Sequence, residues 1–131
     1  MLLADLKSDL TVHDRHLPVL LANRPNSNGD LARNEAQVRG FGEMLIDETC
    51  NDVDIRATNN DTGLNVAQVL ELIERRPEAV KYDVNGIDDE VLLPDGRTVR
   101  SSIPVLGVLG TGNSVLLLLG SPEQWPSIQF Q

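Results

Sequence analysis

The sequence predicts an α+β fold: a single small domain in which an antiparallel sheet, a C-terminal meander of hairpins, carries one or two packed helices. Three observations predict it. "VAQVLELIERR" is apolar on one side at helical spacing. The apolar runs that follow are separated by the turn signals "PDG" and "GTGN". And 131 residues are enough for one core, because a chain of this length buries roughly two-thirds of its unfolded surface.

Taken in order, Leu3, Leu6, Leu10, His13 and Leu17 form one stripe of an amphipathic helix over 2–17, with Pro18 as its stop. "PVLLANRPNSNGD" is a short apolar piece that falls into loop composition. Over 31–49, Leu31, Val38, Phe41 and Leu45 fit a helical stripe, but Gly40 and Gly42 would each cost a helix about 1 kcal/mol. A strand from Val38 onward is the better reading, with glycine marking a bulge or a close approach. "VDIRAT" alternates as a half-buried strand does, and "ETCND" is the turn before it.

Asn65 stands where it can cap a helix, and Gln68 completes a capping-box pattern. Val66, Val69, Leu70 and Ile73 then share one face, and Pro77 ends the helix. After it, "VKYDV" reads as a strand, "VLL" pairs with "RTVR" across "PDG", and "PVLGVL" pairs with "SVLLLLG" across "GTGN". Pro104 is placed at the start of its strand, where no ladder donor is lost. The domain spans 1–121, and "SPEQWPSIQFQ" leads into an extended tail over 122–131.

The run Val115–Leu119 raises a question of burial. A strand shows its side chains alternately to two faces, so an unbroken apolar run needs cover on both. Each buried leucine is worth about 1.5–3 kcal/mol, and an exposed apolar strand invites edge pairing. The helix at 65–76 can cover one face; the helix at 2–17, the amino-terminal strands, a second copy or a partner protein can cover the other. Self-association is expected on this ground, with Leu117 and Leu119 in the contact and Trp125 and Phe130 of the tail reaching across as anchors.

Charge narrows the partners. Twenty acidic residues against 11 basic ones give a net charge of −9, which opposes phosphate backbones and anionic lipid. The aromatic residues are Phe41, Tyr82, Trp125 and Phe130 alone, too few for base stacking. Neither nucleic acid nor a membrane is expected as a partner. Acids gather in Glu43, Asp47, Glu48, Asp52 and Asp54, and again in Asp83, Asp88, Asp89, Glu90 and Asp95. Such runs are a solvated face by default; the sharper reading is a surface for a basic partner, including mimicry of nucleic-acid phosphates. One cysteine, Cys50, excludes a disulfide framework and fits the reducing cytoplasm. No signal-peptide pattern and no apolar run of about 20 residues is present.

Candidate chemistry is thin. His13 and His16 bracket Asp14 at a spacing that can share a metal, but zinc wants at least three protein ligands and nothing nominates another. "NDVDIRATNNDTG" fails the calcium-loop pattern because Arg56 falls on a ligand position. "GTGN" leads into a strand and not a helix, so it is a hairpin turn and not a phosphate cradle. Cys50 has no local signature of a nucleophile, and Asp88 and Asp89 carry no sign of tuning.

By elimination the sequence points to a non-enzymatic, acidic protein-binding module, a regulator, inhibitor or assembly factor, that associates with itself and with another protein. Its contact residues are Trp125, Phe130, Leu117, Leu119, Asp47, Glu48, Asp52 and Asp54, and no cofactor is expected. The alternatives are a structural shell component of a particle such as a virion, and a small metal-dependent hydrolase built on His13, Asp14 and His16. The run "VAQVLELIERRPEAVKYDVNG" with its following hairpin is similar to the helix, Pro-Glu-Ala turn and strand of many small bacterial and phage-encoded proteins; the similarity carries no site residues.

Overall fold

Six strands are hydrogen-bonded in sequence order into a closed barrel: β1 Val19–Asn23, β2 Gln37–Asp47, β3 Asp52–Ala57, β4 Asp83–Leu92, β5 Thr98–Gly110 and β6 Val115–Leu119. Two short helices accompany them, α1 Leu3–Thr11 and α2 Val66–Glu74. The structure, a computed structural model, describes residues 1–23 and 37–125, and the side chains of 88–92, 98–101 and 124 fall outside that description.

The barrel overturns the open antiparallel sheet expected from the sequence. Four of the joints are antiparallel, but β3 pairs with β4 in parallel, and β1 closes the ring by pairing in parallel with β6 from Val19↔Val115 to Asn23↔Leu119. Two physical reasons account for the difference. Parallel neighbours need a long crossover, and α2 supplies it between β3 and β4. And "VLLAN" is a strand, not the start of a loop, which gives β6 a second neighbour and removes its free edge.

Most local expectations survive inside the changed topology. Asn65 accepts the Gln68 N–H at 2.9 Å while the Gln68 side chain accepts the Asn65 N–H at 3.0 Å, a complete capping box. The α1 stripe buries Leu3, Leu6 and Leu10, but the helix stops at Thr11, short of His13 and Leu17. Strand β4 begins at Asp83, after a 3-10 turn at Pro77–Ala79, so most of "VKYDV" is turn. Pro104 lies within β5 at a changeover: the strand pairs with β4 up to Asn85↔Pro104, and with β6 from Val105, with a bulge before Gly107.

Glycine is required where the 58–64 loop lies across β2. The Gly40 N–H donates to the Asn60 carbonyl at 2.7 Å and the Leu64 N–H to the Phe41 carbonyl at 3.0 Å. A Cβ on Gly40 or on Gly63 would collide with the other segment's backbone.

The core is continuous. Leu3, Leu6 and Leu10 of α1 and Val66, Val69, Leu70 and Ile73 of α2 join Phe41, Ile55, Val105, Leu117 and Leu119 of the barrel in one buried cluster. The other face of β6 is covered by the end of the same chain. Trp125, 6% exposed, packs with Ala22 and Leu118 and is flanked by Leu106 and Leu116. Its indole N–H donates to the Leu119 carbonyl at 2.9 Å. Val115–Leu119 thus has both faces covered within one molecule, with only Leu116 half-buried.

Candidate binding groove

The first two residues form a wedge between the start of β4 and β5. The Val84 N–H donates to the Met1 carbonyl at 2.9 Å, the Met1 nitrogen donates to the Val105 carbonyl at 3.4 Å, and Leu2 bridges to Asp83. Beyond Asn85↔Pro104 Met1 stands between β4 and β5, and because β4 starts at Asp83 the rest of β5 overhangs it. The chain turns from this wedge into α1. Between the helix and the overhanging end of β5 lies a groove of about 830 Å³, lined by Met1, Asp5, Asp9, Val12 and His13 on one wall and Pro104–Val108 on the other. Its size is that of sites that bury a ligand or a short peptide, about 300–1,000 Å³.

The β5 wall is an open strand edge. Among the described residues, 106–110 have β6 as their strand neighbour on one side and no strand on the other. Which groups face the open side follows from the ladder. The Val115 N–H donates to Pro18 in front of β1, at 2.9 Å, so Val115 turns its backbone away from its β5 partner, Gly110. In an antiparallel pair that behaviour alternates. Gly110 and Val108 therefore present their N–H and C=O groups to the open side of β5, Val108 within the groove, while Leu109 and Gly107 spend theirs on Leu116 and Leu118.

The helix wall is acidic. Asp5 and Asp9 stand one helical turn apart, both exposed, and no Lys or Arg is among the lining residues. His13 lies over the end of the edge, where a Cβ on Gly110 would come within 2.7 Å of its Cε1. Two apolar side chains stand out to solvent beside the groove, Val12 at 80% exposure and Leu109 at 36%.

The residues singled out in the sequence fall elsewhere. Leu117 and Leu119 are in the core, Trp125 is buried against β6, and Phe130 lies outside the described residues. Leu117, Leu119 and Trp125, expected on a contact surface, are buried within one chain, where barrel closure and the Trp125 ring occupy both faces of β6.

The acidic residues do come together, on the β2–β3 turn. Asp47 faces Asp52 across β2 and β3, and Asp52 faces Asp83 across β3 and β4. Like charges in such a row oppose one another. The Asp47 carboxylate is occupied within its own turn, accepting the Thr49 N–H at 2.9 Å and the Cys50 N–H at 3.2 Å. Glu48 is paired with Arg76 at 3.2 Å, and Asp54 lies opposite Leu45 and Asn85. The row ends at Leu2, which pairs with Asp83 beside the wedge.

Other candidates have structural roles. The Asp47 carboxylate beside the exposed Cys50 pushes its thiol pKa up, the opposite of what a nucleophile needs. Asp14 accepts the His16 N–H at 2.8 Å and so closes a turn. Among the described residues no three of His, Cys, Asp and Glu gather as a metal-binding group, and no helix is long and apolar enough to cross a membrane. A small cavity of about 20 Å³ between Leu21, Asn23 and Arg39 holds little more than a water.

The groove itself escaped the sequence reading. Its traces were Asp5 and Asp9 on the polar side of the first helix, and two glycines in "LGVLG", but neither shows that β4 and β5 part there. Compared with protein families, curated proteins and solved structures, the chain matches none.

Proposed function

We propose that the protein is a non-enzymatic binding module that takes up an extended segment of a partner protein as an added strand on the open edge of β5. The observation that carries this reading is the groove whose one wall is a strand edge, with the Val108 backbone groups directed into it and those of Gly110 on the same edge just beyond it. Main-chain hydrogen bonds to such an edge supply affinity, and the flanking wall supplies selectivity. Capture of a partner's segment is a means of regulation, inhibition or assembly alike. An exposed single cysteine fits a cytoplasmic setting for that activity.

The partner is a different protein. Within one chain both faces of β6 are covered, which favours a separate protein over a second copy. Two copies, each carrying −9, also repel one another at an acidic groove.

The test is Val108→Pro. Proline removes an N–H directed at the groove and leaves the ladder to β6 intact, as at any strand edge. Partner binding, measured by calorimetry, is expected to be lost while the circular dichroism spectrum is kept. Binding unchanged in a folded Val108→Pro variant overturns the reading. Sedimentation equilibrium gives a second check: a dimer that Val108→Pro dissolves would make a second copy the occupant.

A further inference from the structure

We infer that the segment received by this groove carries two basic side chains two residues apart, with an apolar residue between them, in a different protein from this one. The inference rests on strand addition at β5 and specifies the partner's chemistry.

Spacing supports it first. Asp5 and Asp9 lie on one wall of the groove, four residues apart on α1. At the helical rise their Cα atoms are separated by about 6 Å along the axis. On an extended segment, side chains two residues apart share a face at a separation of about 6.7 Å. A strand lying between α1 and β5 therefore brings alternate residues to the two carboxylates in near register. Adjacent residues point to opposite faces and cannot do so.

Direction supports it next. Val108 packs towards the core and Leu109 points outward, 36% exposed. A strand added beside β5 divides its side chains in the same way. Its inward residues meet the α1 wall, where Asp5 and Asp9 await positive charge. The residue between them falls on the outer face beside Leu109, where an apolar side chain gains contact. Charge also selects the sign: the described lining residues carry Asp5 and Asp9 and no Lys or Arg, the Met1 ammonium being engaged with the Val105 carbonyl at 3.4 Å, and the Asp47–Asp52–Asp83 row ends at Leu2 beside the wedge. Asp5, Asp9 and that row oppose an acidic segment.

Three short labelled peptides with common flanks test this by fluorescence anisotropy at low salt: one centred on Lys-Val-Lys, one on Lys-Lys-Val, one on Gln-Val-Gln. Lys-Val-Lys is expected to bind about tenfold more tightly than Gln-Val-Gln, the sum of two surface ion pairs, and about threefold more tightly than Lys-Lys-Val, which brings one lysine to the wall. The double variant Asp5→Asn, Asp9→Asn is expected to erase that preference. Both positions are exposed, so the variant keeps its fold, which circular dichroism checks. Equal affinity for Lys-Val-Lys and Lys-Lys-Val, or a preference that survives the double variant, overturns the inference. Strand addition stands even then if Val108→Pro abolishes Gln-Val-Gln binding. Affinity for Lys-Val-Lys that is untouched by Val108→Pro overturns strand addition itself, and no binding by any of the three overturns both.

Discussion

Trp125 and Cys50 show how far single residues were legible. That Trp125 is a sticky anchor could be read from its type; that its ring would be spent on the chain's own Leu118 could not, because the neighbour appears only once β1 and β6 are paired. Its burial makes a firm expectation: Trp125→Ala lowers stability by about 3 kcal/mol, as for a large aromatic lost from a packed site, read as a fall in the urea midpoint. Cys50 carries an expectation of the opposite kind, in which folding is irrelevant. The Asp47 carboxylate raises the thiol pKa, so below that pKa the thiolate fraction is smaller than in an isolated cysteine. Alkylation by iodoacetamide near pH 8 is expected to be slow, and Asp47→Asn is expected to speed it. An unchanged rate would remove Asp47 as the cause.

Elements with strong local signals were read well, and those set by distant partners were not. Helix α2 announces itself through Asn65, Gln68 and its apolar face, and the structure closes both capping bonds. Asn65→Ala is expected to cost about 1 kcal/mol, measured by thermal unfolding. Strand β1 carries no comparable signal. Its five residues run into loop composition, and their strand character comes from β2 and β6 on either side. The parallel pairing of β3 with β4 was hidden for a related reason: the helix between them reads the same whether it crosses over a sheet or packs on one. The overhang of β5 is a consequence of both, since a staggered closed barrel leaves the end of a long strand beyond its neighbour.

At the scale of the whole molecule, closure ties every strand to two others, and the residues on both faces of β6 belong to the same chain. Unfolding is therefore expected to be a single transition, with Trp125 fluorescence and far-ultraviolet circular dichroism coincident; an earlier fluorescence change would make the Trp125 cover a separate unit. Among the described residues closure leaves the end of β5 beside α1 without a second strand neighbour, and the function proposed here depends on that edge. Amide exchange followed by NMR tests that edge most directly, with and without the Lys-Val-Lys peptide. The expected pattern alternates: Val108 and Gly110 exchange fast in the free protein and become protected on binding, while Gly107 and Leu109 are protected throughout by β6. Slow exchange at Val108 and Gly110 in the free protein, or no protection there in the complex, would contradict a strand added to β5.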